Sequence, residues 1–409
     1  MVKIIVSIFA LLSVNAFSIE HEFKGLIDTR IVSVSDNNTS YLEGDYGKFN
    51  YSDDTQLTLS QLGLQYALKW ENNLELRVVG NLYLDGVKDG GGLTEAFISY
   101  KSLPNQNGWR VKSKAGIFYP NISLENIATA WSTPYTLASS SLNNWVGEEL
   151  RHSGVQFSLD KLGKFTKSSH NFSFDMALFH NNDTTGAMLS WHGWTLGNRQ
   201  TLLNEKLVVQ PFAARESTLN GQAASSDPFI ELDNRWGVHL TTNWKYQNYL
   251  TVSGGVYNNN ADASIVKSGQ YTWDTNFEHF GIKYNVYKQL QFIAQYMTGS
   301  TFMQSPYGDK VVENDFNSGF VMIRYLQNNN QYALRLEEFE VKDYDSTVGD
   351  NNNEYGKSIT LSYRYKLNKR SFIHTEYNWI DSSRPSRWYL KQDIDLIEHQ
   401  YQLAFRHYF

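Results

Sequence analysis

The sequence predicts an all-β fold: a transmembrane antiparallel β-barrel of about sixteen strands, with long loops at one rim and short turns at the other. Three observations carry this. Apolar and polar residues alternate with a period of two along most of the chain, so each strand presents one greasy and one polar face. Many of these segments reach about ten residues, the length a tilted strand needs to cross a membrane. Beyond the N-terminal segment, no stretch of about 18 apolar residues occurs, so helices are not the expected spanning elements.

In chain order, the first element is a leader. Met1-Val2-Lys3 is a short positive start, Ile4 to Leu12 an apolar run broken only by Ser7, and Ala16-Phe17-Ser18 a small-residue pattern. This reads as a secretory signal peptide over 1–18, cleaved after Ser18, or after Ala16 with Val14 at the other small-residue position. The apolar run is too short to span about 30 Å comfortably as an anchor. The remainder, 19–409, reads as one domain, without a Pro/Ser linker, a low-complexity tail or a βαβ pattern.

Sixteen strand segments follow: 20–34, 56–70, 73–86, 92–101, 108–118, 150–160, 168–180, 234–246, 249–259, 270–285, 289–299, 314–326, 331–342, 355–366, 370–380 and 398–409. In the third, Leu74, Leu76, Val78, Gly80, Leu82 and Leu84 alternate with Glu75, Arg77, Val79, Asn81, Tyr83 and Asp85. In the fifth, Trp109, Val111, Ser113, Ala115 and Ile117 alternate with Arg110, Lys112, Lys114, Gly116 and Phe118. One face can meet lipid; the other is too polar for a dry core, which argues against a soluble sandwich with its apolar face inward. Links after odd-numbered strands are mostly long (35–55, 119–149, 181–233, 300–313, 343–354, 381–397) and links after even-numbered strands mostly short. That is the outer-membrane pattern of long extracellular loops and short periplasmic turns, with both termini periplasmic. The segment 206–213 also has strand character. It is assigned to the fourth loop, because adding it alone breaks the even count.

Composition narrows the function. The chain has 26 Tyr, 23 Phe and 11 Trp, and Tyr100, Trp109, Tyr119, Trp236, Trp244, Tyr363, Tyr365 and Trp379 fall near strand ends, where interfacial girdles lie. The absence of cysteine excludes a disulfide framework, thiolate metal sites and a cysteine nucleophile. A formal net charge of −6 offers no basic field for nucleic acid. The 10 histidines show no H-E-x-x-H spacing, and neither a metal nor another cofactor is expected.

Gly116-Ile117-Phe118-Tyr119-Pro120-Asn121-Ile122-Ser123-Leu124-Glu125, of the form G-x-F-x-P-x-x-S-L-E, resembles a segment of phosphate-selective-porin-like outer-membrane proteins. Phe23-Lys24-Gly25-Leu26-Ile27-Asp28, Leu62-Gly63-Leu64 and Gly147-Glu148-Glu149-Leu150-Arg151 look similar to that family too. The final strand places Tyr401, Leu403, Phe405, His407 and the terminal Phe409 on one face, which resembles the way such barrels finish. The resemblance implies a sixteen-stranded homotrimer in outer-membrane lipid and lipopolysaccharide, with the last strand read by the barrel-assembly machinery. It also implies that the third loop, 119–149, folds into the pore as a constriction. The loop departs from the family in having no Lys or Arg; its charged residues are Glu125, Glu148 and Glu149.

A pore selects by its width and by the charges that line it. Strand parity places Lys24, Arg30, Arg77, Arg110, Lys112, Lys114, Arg235, Lys245, Lys283, Arg324, Arg335, Arg364 and Arg406 inside, against Asp28, Glu75, Asp85, Glu95, Asp175, Glu337 and Glu376. Arg110, Lys112 and Lys114 stack along one strand and would attract anions over about 8 Å. Arg335 with Glu337, and Lys24 with Asp28, would equally serve as braces of the wall, so anion preference and weak or cation-leaning selectivity both stay open. Phe118, Trp131, Tyr135 and Trp145 are candidates for a sugar-stacking row or for plain loop packing. Asp343, Asp345, Asp350 and Glu354 are solvated outer-loop acids or a weak divalent site. The expected function is passive diffusion of small hydrophilic solutes or ions. The alternatives are an adhesion or scaffold barrel using the loop 181–233, and a barrel hydrolase. The hydrolase lacks a suitable pair, since His152 and Ser153 face opposite sides.

Overall fold

The computed structural model describes residues 19–35, 39–52 and 55–409; the expected leader over 1–18 lies outside the described residues. Sixteen strands close into one antiparallel barrel. They are β1 (Ile19–Val34), β2 (Gln56–Trp70), β3 (Leu74–Leu84), β4 (Gly90–Lys101), β5 (Trp109–Phe118), β6 (His152–Lys161), β7 (His170–Phe179) and β8 (Gly237–Tyr246). There follow β9 (Leu250–Asn258), β10 (Asp274–Tyr287), β11 (Leu290–Gln304), β12 (Lys310–Gln327), β13 (Asn330–Asp343), β14 (Glu354–Lys366), β15 (Ser371–Ser383) and β16 (Asp395–Tyr408). Each pairs with its chain neighbours, and β16 returns to β1 in register from Leu26↔Tyr408 to Val34↔Gln400. Closure leaves no strand edge unpaired, as a lipid environment requires.

The strands form where alternation predicts them, and the differences lie at their ends. β11 and β12 pair out to Gln304↔Lys310, so the expected long link 300–313 shrinks to 305–309. β10 begins at Asp274, because Gln270–Tyr271 pairs instead with Val266–Lys267 in the preceding loop. Leu207–Val208 pairs with Ser225–Ser226 inside the fourth loop and stays out of the barrel.

The outward face is apolar: Leu64, Phe157, Phe174, Val321, Leu336, Leu361 and Phe405 are among its exposed side chains. Beside the short turns it becomes aromatic, with Tyr100, Trp109, Tyr246, Tyr249, Tyr284, Tyr287, Tyr325, Tyr332 and Tyr365 exposed there. The terminal Phe409 continues this surface. Its backbone exchanges two hydrogen bonds with Gly25, of 3.0 and 3.1 Å, and its ring packs 5.8 Å from that of Phe23. A Cβ at Gly25 would lie 2.1 Å from the Phe409 ring, so only glycine leaves the ring its place.

The expectation of a polar lumen throughout needs correction. Toward the long-loop rim, Phe179, Tyr257, Phe277, Met297, Phe316, Phe339, Val341 and Ile380 form a buried apolar cluster with loop side chains Leu142, Trp145, Val146, Leu189, Trp194 and Leu196. Those loop residues come from the third loop, 119–151, which carries helix α1 (Ser141–Glu149), and from the fourth loop, 180–236, which carries helix α2 (Ala187–Trp191). Alternation could not reveal this, because an inward Phe or Met on a strand looks the same whether it meets water or a loop.

Candidate functional site in the barrel lumen

The lumen has two unlike walls. On one side, β1 and β13–β16 are covered by the third loop. An irregular segment inside a barrel must find partners for its backbone N–H and C=O groups, and here charged wall residues supply them. Arg406 donates to the carbonyls of Thr133 (2.8 Å) and Thr136 (3.1 Å), Arg335 to those of Ala138 (2.9 Å) and Ser139 (3.0 Å), and Arg30 to that of Leu137 (3.2 Å). In return, Glu376 accepts from the amides of Leu137 (2.5 Å) and Ala138 (2.8 Å), and Glu337 from that of Ser141 (2.8 Å).

The staples are themselves charge-balanced. Asp28 lies 2.7 Å from both Arg30 and Arg406, and Arg335 pairs with Glu337 (2.7 Å) and with Glu125 of the loop (3.1 Å). Glu125 also accepts from the Ser140 amide (2.6 Å), the turn that starts α1. Arg30, Arg335, Glu337, Glu376 and Arg406, expected to line open water, are therefore inward-facing but buried beneath the loop.

Glu148 and Glu149 do not face an open passage either. Glu148 lies 3.0 Å from His192 Nε2 in the fourth loop. Glu149 accepts from Trp145 Nε1 (2.6 Å) and from the amides of Gly186 (3.2 Å) and Met188 (3.0 Å), which locks α1 to the start of α2.

The opposite wall, β3–β6, stays uncovered toward the short-turn rim. A cavity of about 620 Å³ is lined by Arg77, Lys112, Lys114 and Asn121, and a neighbouring one of about 360 Å³ by Arg110, Lys112, Asp160, Asp175 and Lys245. Lys112 and Asn121 border both. The cations are partly compensated. Arg110 Nε and Lys112 Nζ reach Asp160 at 2.8 and 3.0 Å, Arg77 reaches Glu75 at 2.5 Å, and Lys24 pairs with Glu22. Lys114 has no carboxylate at contact distance among the described residues and lies over the rings of Phe97 (5.0 Å) and Phe118 (4.6 Å).

Asp160 was not among the expected inner anions. It stands opposite Arg110 in the β5–β6 ladder. That register is set across the whole third loop, so no hairpin turn in the sequence announces it.

The aromatic candidates do not form a row. Trp131 stacks on Tyr119 at 4.2 Å, Trp145 lies in the apolar plug, Phe118 meets Phe97 edge-on, and Tyr135 lies under Lys283 and Arg324. The outer-loop acids divide: Asp343 accepts from the Asp345 amide at 3.1 Å with Asp350 near them, while Glu354 is drawn into a separate buried group with Lys48 and Arg384, so Asp350 and Glu354 are buried where solvated acids were expected. The fourth loop turns Trp191 and Trp194 inward, where both are fully buried.

No protein-family model matches the sequence, and a comparison with curated proteins finds no match. Solved structures do match in fold. The anion-selective porin of Comamonas acidovorans superposes with a TM-score of 0.54 at 14% identity, covering 96% of this chain and all (100%) of the other. The outer membrane channel DcaP of Acinetobacter baumannii gives 0.53 at 10% identity over 97% and 99%. OmpT, an outer membrane protein of Vibrio cholerae in its trimer form, gives 0.52 at 10% over 96% and 100%. At these identities the likeness is one of fold: a closed sixteen-stranded barrel of the porin type.

Proposed function

We propose that this chain is an outer-membrane porin, a passive channel for small hydrophilic solutes with a preference for anions. The observation that carries the reading is the asymmetric lumen. The third loop is pinned to one wall by Arg30, Arg335, Glu337, Glu376 and Arg406, and the free space faces Arg77, Arg110, Lys112 and Lys114 on the other. Glu125, Glu148 and Glu149 then act as the framework of a constriction, and Lys24 as an entrance charge beside Glu22. The apolar outer face and the aromatic girdle support a position in outer-membrane lipid with the short turns periplasmic. The terminal Phe409 supports recognition by the barrel-assembly machinery. The segment 116–125 supports kinship with phosphate-selective-porin-like proteins, and the trimer form of a fold neighbour supports a homotrimer.

The test is the reversal potential of the reconstituted protein across a salt gradient. We expect anion preference in 0.1 M salt and its decline toward 1 M, where screening shortens from about 10 to 3 Å. Replacing Arg110, Lys112 and Lys114 with Gln should shift the reversal potential toward zero. An intact barrel that passes no ions would overturn the channel; an unshifted potential would overturn the role of these three cations.

A further inference from the structure

A cluster of three histidines runs along the wall from β6, the neighbour of the basic strand β5, to β10. His239 on β8 and His279 on β10 are separated by β9, so their backbones stand about two strand spacings, roughly 9.5 Å, apart. Their rings nevertheless meet, with Nε2 to Nε2 at 2.9 Å. The gap is bridged because β9 offers Gly255 between them. Gly255 pairs with His279 on one side and Thr241 on the other, and a Cβ on it would sit 2.5 Å from His279 Nε2. A third ring, His152 on β6, lies 5.3 Å from His239, nearly the 5.2 Å that separates His239 from His279. His152 is fully buried, stacked on Phe179 at 4.4 Å, and neither ring nitrogen has a hydrogen-bond partner among the described residues. Two unpartnered nitrogens in a buried imidazole are costly, roughly 1–3 kcal/mol for each such group.

We propose that these residues form a binding site for a divalent transition-metal ion, with His239 Nε2 and His279 Nε2 as the paired ligands and His152 as the third. Two nitrogens bound at about 2.0–2.1 Å stand roughly 2.9–3.4 Å apart for bond angles between about 90° and 109°; the observed pair falls at the short end of that range. Imidazole-only ligation selects copper, zinc or nickel over calcium and magnesium, which take oxygen. Binding requires both paired rings to carry their remaining proton on Nδ1 and the Thr241 hydroxyl, 3.2 Å from His239 Nε2, to turn its proton away, which frees the two Nε2 lone pairs. His152 completes the set by turning its ring about χ1 and χ2, and ligation gives a partner to one of its unpartnered nitrogens. The competing arrangement is a plain hydrogen bond between two neutral imidazoles, one donating Nε2–H to the other, with no ion.

The experiment is titration of the purified, folded protein in detergent with Cu²⁺, read by electron paramagnetic resonance and by competition with a chromogenic chelator. We expect one tightly held Cu²⁺ per chain with hyperfine structure from at least two nitrogens. The variant His239→Gln/His279→Gln should lose at least about 100-fold in affinity, His152→Gln about 10-fold, and the exposed-residue variant His170→Gln nothing. Barrel integrity is read from heat-modifiable electrophoretic mobility. Unchanged affinity in a folded double variant would overturn the site. If that variant does not fold, the wild-type spectrum decides: no uptake, or oxygen-only ligation, overturns the proposal, and two or more nitrogens in a single tight site support it.

Discussion

At the residue scale, the strongest constraint is on buried charge. Arg335 sits between Glu125 and Glu337 with no exposure to solvent, and it also holds two loop carbonyls. Replacing it with Met leaves two carboxylates without their cation, a loss on the order of 3–5 kcal/mol. The expected outcome is a third loop that protease cuts in the folded barrel, while wild type resists; equal resistance would mean that Arg335 is not its anchor. Asp350, in the outer loop 344–353, gives a pH-dependent counterpart. Burial, and then the nearby Asp345 and Asp343, push its carboxyl up to about 8. A raised carboxyl pKa means that the folded loop binds the proton more tightly than the unfolded chain. Its stabilisation is complete below the ordinary carboxylate range, near 4, and is lost as pH rises toward 8. Amide hydrogen exchange in this loop should therefore quicken between about pH 4 and 8, beyond the intrinsic rate increase, and level off above that; Asp350→Asn should flatten the excess. These roles were only partly legible in sequence. Parity put Arg335 and Glu337 on the inner face, but the burial of both depends on a loop whose path no periodicity records.

At the element scale, strands were legible and loops were not, for one physical reason. A strand's two faces meet two different media, and that difference is written as a period of two. A loop inside a barrel obeys no period; it obeys the supply of partners along the wall. The third loop shows this, since its backbone is held at Pro134, Leu137, Ala138, Ser139 and Ser141 by residues more than a hundred positions away. Barrel closure is legible at both ends of the chain, because the last strand needs the first. Gly25 is where that need becomes steric. In Gly25→Val the added side chain would overlap the Phe409 ring, which packs where a Cβ would lie 2.1 Å away. We expect a reduced yield of heat-modifiable, closed barrel, recovered in part by the second change Phe409→Ala, which removes the clashing ring. A Gly25→Val variant that closes at wild-type yield would show that the β1–β16 seam tolerates loss of this contact.

At the scale of the whole molecule, the barrel is a wide cylinder narrowed from within. A sixteen-stranded barrel is wide enough for an aqueous channel, yet here the two longest loops fill its outer half with an apolar plug centred on Trp145. That ring lies 5.5 Å from Phe277, 5.4 Å from Phe316 and 5.9 Å from Trp194. If the chain conducts as proposed, the plug and the basic wall do different jobs: the plug limits how much passes, and the wall biases what passes. The two can be separated by mutation. Trp194→Ala removes a fully buried ring at a cost of about 3–5 kcal/mol. This falls on the plug, where the ring meets Trp145 of the third loop and Phe316 of the wall and its Nε1 donates to the Glu340 carbonyl at 3.1 Å; the strand ladders are untouched. Single-channel conductance should therefore rise, with more frequent transitions between levels, while the reversal potential stays at the wild-type value. The Arg110, Lys112 and Lys114 substitutions should do the reverse, moving the potential with little change in the frequency of transitions. If Trp194→Ala left conductance and gating as they were in a folded barrel, the plug would not be what narrows the path, and the limiting width would have to lie lower, between Asn121 and the cations of β5.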